Sequence, residues 1–152
     1  MKRFGKYTME RQLKKIYLAI LLPAATGFVL VYAAKMLDIY QLPVARAHAL
    51  MPPVLFILSA AFAVAAPTFY RAYFAHKHRH RSAVREEELV RMEGRSIAMV
   101  MVAPYLALLA YGLNLPRFHF CGTVIMGLYA VYYFYPSKKR LRFQKRLYRV
   151  KP

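Results

Sequence analysis

Four stretches of this chain are apolar with no polar face at helical spacing. They cover 16–36, 54–74, 97–115 and 118–135. A surface helix of a soluble protein keeps one polar side, and these do not. At 1.5 Å per residue the first stretch extends about 30 Å, the thickness of a bilayer's hydrocarbon core. Four such helices in one soluble bundle would leave no polar face for water. The pattern predicts an all-α, polytopic membrane protein with four transmembrane helices arranged as two antiparallel hairpins. The first stretch follows Lys14 and Lys15, as the core of a signal peptide would. Its apolar run exceeds the usual 7–15 residues, and no small-x-small site closes it, so it reads as a retained span.

Charge is segregated from these stretches. The chain has 24 Lys and Arg against 6 Asp and Glu, a net charge of +18, although 59% of its residues are hydrophobic. Twenty-one of the cations fall in three places: the segment 1–15, the stretch from Arg71 to Arg95, and the tail after Tyr135. Only Lys35, Arg46 and Arg117 lie on the other side of the predicted hairpins. The positive-inside rule then places both termini and the central loop in the cytoplasm, with the inner membrane as the location in a bacterium. The organisation that follows is a basic N-terminal segment 1–15, a transmembrane domain 16–136 with a cytoplasmic loop 75–96, and a basic tail 137–152.

Prolines and small residues add detail. Pro23 and Pro104 each lie about seven residues into an outward-going helix, and Pro67 and Pro136 lie near the exits of the return helices. Pro52, Pro53 and Pro116 precede the return helices. This spacing suggests an internal parallel repeat about an axis along the membrane normal. Pro23 and Pro104 each remove a backbone donor and are expected to kink their helices. Ala24, Ala25 and Gly27 in span one, Ser59, Ala60, Ala61, Ala63, Ala65 and Ala66 in span two, and Gly122 and Gly127 in span four are small enough to let helix backbones approach closely.

The chemistry of the spans is sparse. Spans two to four hold no Asp, Glu or Lys between the interfaces, and Arg71 lies at an edge. Lys35 and Asp38, three residues apart at the outer end of span one, can pair locally or snorkel. Cation-coupled carriers usually keep an ionisable group within the membrane, so a lone chain of this kind is a poor proton-coupled carrier. Four histidines are weak metal candidates. His76 and His80 share a helical face in "HKHRH", although Lys77, Arg79 and Arg81 interleave them. His48 and His119 precede the second and fourth spans and could face each other across haem or zinc. The expected state is nevertheless no metal and no cofactor, since no carboxylate accompanies either pair. Cys121 is the only cysteine, so no intramolecular disulfide forms. Glu86, Glu87, Glu88 and Glu93 fall in a predicted cytoplasmic helix leading to span three, where Ser82 can cap and Glu87 can pair with Arg91. Tyr105, Tyr111, Tyr129, Tyr132, Tyr133 and Asn114 are the best placed donors for any polar site in or near the spans.

The stretch Arg46–Ala47–His48 is similar to an Arg-Ala-His run that follows the first helix in membrane-associated glutathione and eicosanoid enzymes, which also have four spans in about 150 residues. The resemblance covers eight residues and lacks that family's Asn and Glu. It implies a membrane-bound transferase or redox enzyme as an alternative reading. The chain shows no Ser-His-Asp arrangement or phosphate loop, and the balance leans away from catalysis.

The tail completes the reading. Tyr132, Tyr133 and Tyr135 form an interfacial aromatic belt at the end of span four. Lys138, Lys139, Arg140, Arg142, Lys145, Arg146 and Arg149 follow it. Apolar residues alternate with them, as in a segment lying on anionic headgroups. A basic run against a span needs no nucleic acid to explain it. The function expected is an integral membrane accessory or structural subunit that packs against partner helices, or against itself, and binds anionic lipid. A small oligomeric transporter or channel is the second alternative.

Overall fold

A computed structural model describes residues 4–39, 50–79 and 84–148, with side chains from residue 9 onward. The described residues are helical and contain no strand. Helix α1 covers Phe4–Met36. A second rod combines α2 (Met51–Ala60), a π-helical turn (Ala61–Ala65) and α3 (Ala66–Lys77). A third joins α4 (Glu86–Val100) to α5 (Val102–Gly112) through Met101. Helix α6 covers Arg117–Tyr133 and α7 covers Lys138–Leu147. Three of these rods, Met9–Met36, Met51–Lys77 and Glu86–Gly112, are long and apolar enough to cross a membrane.

The third rod is the hub. α1 packs on α4 and α5, α3 packs on α4, and α2 and α6 both pack on α5. Its apolar core falls into three clusters along the bundle. One contains Met9, Leu13, Tyr17, Phe74, Leu89, Met92, Ile97 and Leu141. The next is built of Ala63, Val100, Ala103, Ala130 and Phe134. The last contains Leu55, Ala110 and Leu115. The middle cluster is mostly alanine, and small side chains there bring backbones close. At Gly127 an added Cβ would stand 3.4 Å from Pro104 Cα and 3.6 Å from Ala107 Cβ, so α6 and α5 meet with only a methyl group beside their backbones.

Three prolines within the rods have local answers. Pro67 offers no N–H, and the turn before it is widened into the π form, with Ala66 N–H bonded to Ala61 O. The wide turn also solves a spacing problem. The buried positions Leu55, Ser59, Ala63 and Pro67 recur every four residues. In a pure α-helix each such step drifts by about 40°. One extra residue in the π turn keeps them on one face. Pro104 stands in the first turn of α5, where a missing donor costs little, and the rod is interrupted at Met101. Pro23 lies within an uninterrupted α1. There Thr26 Oγ1 donates to Leu22 O (2.9 Å) and Pro23 O (3.0 Å), and Tyr105 donates from α5 to Ile20 O (2.7 Å). The sequence symmetry of Pro23 with Pro104 is therefore not matched by a common local geometry.

Both α1 and α5 end in the same way. Asp38 and Asn114 adopt left-handed φ values of 56° and 51°. Ile39 N–H bonds Ala34 O, and Leu115 N–H bonds Ala110 O, closing paired six-to-one turns. Lys35 does not need Asp38. Its ammonium donates to Asn114 Oδ1 (2.5 Å) and Tyr111 O (2.6 Å) and lies 4.0 Å from the centre of the Tyr111 ring. A cation at the C-terminal end of α5 complements the carbonyls there.

Candidate functional site

The main polar constellation lies at the end of the bundle where α3, α4, α6 and α7 meet. α4 presents Leu89, Met92, Glu93, Ser96, Ile97 and Val100 as one buried stripe at helical spacing. Glu93 is the only charged member of that stripe, and its side chain is 2% exposed. Arg71 of α3 donates through Nη2 to both of its oxygens, at 3.2 and 3.4 Å. Arg140 of α7 donates to Oε2 at 3.1 Å, and Gln144 donates to Oε1 at 2.5 Å. Four donations satisfy the carboxylate, as burial of a charge demands.

Phe134, just past α6, is the floor of this clasp. Arg71 and Arg140 lie 5.0 and 4.7 Å from its ring centre. Such stacking suits the weakly hydrated guanidinium. Arg140 also donates to Tyr133 O at 2.8 Å, which ties α7 to the end of α6. Burial pushes the Arg140 guanidinium below its ordinary value, while Glu93 pulls it back. Burial also raises the phenol of Tyr148 above its ordinary value.

α7 is thus a docked helix. Ser137 caps its start, accepting from Arg140 N–H at 3.3 Å. Leu141 and Gln144 are buried, Tyr148 packs against the core, and Lys145 bonds Glu86 at 2.5 Å. The predicted basic set therefore divides. Arg140 and Lys145 turn inward to carboxylates. Lys138, Lys139, Arg142 and Arg146 are exposed, and Arg149 lies outside the described residues. Phe143 and Leu147, 65% and 60% exposed, share the outward face with Lys139, Arg142 and Arg146. Tyr132, Tyr133 and Tyr135 are all exposed beside the start of α7. Tyr133 stacks on Tyr129 with centroids 5.3 Å apart.

The histidines do not converge. His80 and His48 lie outside the described residues. His76 is exposed, whereas its neighbour His78 lies 3.6 Å from Glu88 and stacks on Phe74. His119 is half-buried in the first turns of α6, beside the Phe118 ring. Among the described residues no group of three or more His, Cys, Asp or Glu could hold a metal ion. Tyr105, Tyr111 and Asn114, expected as donors for a ligand, are engaged in the contacts to α1. Ser82 lies outside the described residues, and α4 opens instead on Glu86, Glu87 and Glu88, whose charges favour a helix N-terminus.

The clasp was hidden in the sequence because Glu93 sits among arginines that could have paired with it locally. Its place on the apolar stripe of α4 was the available signal. These contacts define a class: an all-helical chain with three helices that can span a membrane and a basic helix pinned to their end. No protein-family model, curated protein or solved structure matches it.

Proposed function

We propose that this chain is an integral membrane accessory subunit that packs against partner helices and holds anionic lipid at its cytoplasmic face. In this reading α6 is a fourth span. Its 17 residues extend about 26 Å, at the short end of what crosses a bilayer. The four spans form two hairpins with both termini in the cytoplasm, an arrangement that the segregation of Lys and Arg supports.

The observation that carries the reading is the two-sided build of α7. Its inner side spends Arg140, Gln144 and Lys145 on holding the helix in place. Its outer side presents Lys139, Arg142, Phe143, Arg146 and Leu147 beside exposed tyrosines. A fixed helix with alternating cations and apolar side chains suits a headgroup layer, where each cation contributes about 1 kcal/mol. The clasp itself, with its carboxylate fully engaged, reads as architecture rather than as a reaction centre.

The test is purification from native membranes in mild detergent. A stoichiometric co-purifying membrane subunit is the expected result. A homogeneous homo-oligomer with no second subunit would favour the transporter, and a haem absorbance band would favour the redox enzyme.

A further inference from the structure

At the end of the bundle opposite α7, an open groove of about 520 Å³ runs along the first half of α6. Its lining is almost wholly apolar, with walls from Phe118, Ile125 and Met126. Gly122 forms its floor. A Cβ at Gly122 would stand 2.7 Å from the Phe56 ring, so the missing side chain lets α2 and α6 close beneath while the groove stays open above. Phe118 and Ile125 are 79% and 60% exposed. Arg117 sits at the mouth, as the first residue of α6.

That arginine is unexplained by the helix. A cation at a helix N-terminus is unfavourable. Among the described residues no carboxylate pairs with it. A long apolar trough with one unpaired cation at its mouth matches a ligand with a long apolar body and one anionic head. We propose that this groove seats an acyl chain of an anionic phospholipid whose net negative headgroup meets Arg117. A second copy of the chain fits less well, because a two-fold contact through this groove brings Arg117 towards its own copy. The site is separate from α7, and it rests on α6 lying in the bilayer as proposed above.

The chain has no tryptophan, so Phe118→Trp supplies a single fluorophore at the mouth. The full chain is placed in phosphatidylcholine nanodiscs containing increasing fractions of bromine-labelled phosphatidylglycerol or bromine-labelled phosphatidylcholine. The anionic lipid is expected to quench at about fivefold lower mole fraction, the worth of one cation against a net negative headgroup, because both lipids carry a phosphate and only phosphatidylcholine offsets it with its own cation. Adding Arg117→Gln should bring the two curves together, whereas Arg117→Lys should keep them apart. Coincident curves in the Phe118→Trp parent overturn the proposal, as does a preference that survives Arg117→Gln. Quenching by neither lipid overturns it too. In that case, Val29→Trp on the exposed face of α1 shows whether the bundle itself is in the bilayer. Cys121 also lines the groove, so oxidative cross-linking of two chains through it, with loss of quenching, would assign the groove to a second copy.

Discussion

Arg140 Nη2 meets Glu93 Oε2 at 3.1 Å, joining the last helix to the hub of the bundle. The two residues are 47 positions apart. With Arg71 donating to both carboxylate oxygens, Glu93 holds three helices together. A buried carboxylate between two guanidiniums costs much desolvation, and removing it strands both cations. Glu93→Gln is therefore expected to cost about 3 kcal/mol. A thermal scan in detergent checks this, and trypsin should then cut α7 faster than in the parent. Arg140→Ala should cost less, because Arg71 still holds the carboxylate.

The π turn gives a second expectation. It carries one residue more than an α-helix needs. Deleting Val64, half-exposed within it, should let the rod relax to α-helix with both flanking faces in register. Deleting Ile57, exposed in α2, rotates everything beyond it by about 100° and moves Arg71 off Glu93. The first deletion should retain most of the thermal stability, above all when combined with Pro67→Ala, and the second should abolish folding. Equal damage from the two would contradict the role given to the π turn.

The helix contacts predict opposite fates for two glycines. A Cβ at Gly127 would already be in contact with Pro104 Cα at 3.4 Å, which leaves no room there for the branches of a larger side chain. Gly127→Val should cost about 2 kcal/mol through overpacking. At Gly27 the nearest obstacle is the flexible end of Leu108, so Gly27→Ala should be nearly neutral. Melting both variants in the same detergent compares them directly.

These contacts also show where the sequence was transparent. Segregated apolar runs made the three long helices legible, because lipid-compatible surfaces need no partner to be recognised. Glu93 and Gln144 were not legible, since their partners arrive from helices far along the chain. Lys35 appeared to have Asp38 as a neighbour three residues on. Asp38 instead takes the left-handed turn that ends α1, and Asn114 with the carbonyl of Tyr111 receives the ammonium. Arg140 and Lys145 looked equivalent to Lys139 and Arg142 in a basic tail. Only the docking of Leu141 separates the inward from the outward side.

Lys35 bonds neutral oxygens, which gives its contribution a particular signature. Lys35→Met should cost about 1 kcal/mol, the net worth of hydrogen bonds to a charged donor at a partly exposed site. Raising the salt concentration should change that cost little, because no opposite charge is screened. The Lys145–Glu86 pair, at 2.5 Å and partly exposed, should weaken with salt. Thermal scans of Lys35→Met and Lys145→Met at low and high salt separate the two behaviours.

The two sides of α7 predict a division of phenotype. Among the described residues Lys139, Arg142 and Arg146 form no ion pair with the bundle's carboxylates, so converting all three to Gln should leave the melting temperature close to the parent's. The same change removes three cations from the outward face, each worth about 1 kcal/mol against an anionic surface. In nanodiscs containing phosphatidylglycerol, α7 of the parent should resist trypsin more than in phosphatidylcholine alone, with the protection fading as salt rises. Because the triple change also removes tryptic sites, cleavage is best followed at Lys138, which both proteins retain. Protection at Lys138 should disappear in the triple variant and persist in Lys145→Gln, whose own defect is the lost bond to Glu86. Equal protection in parent and triple variant would mean that the outward cations of α7 do not meet the lipid surface.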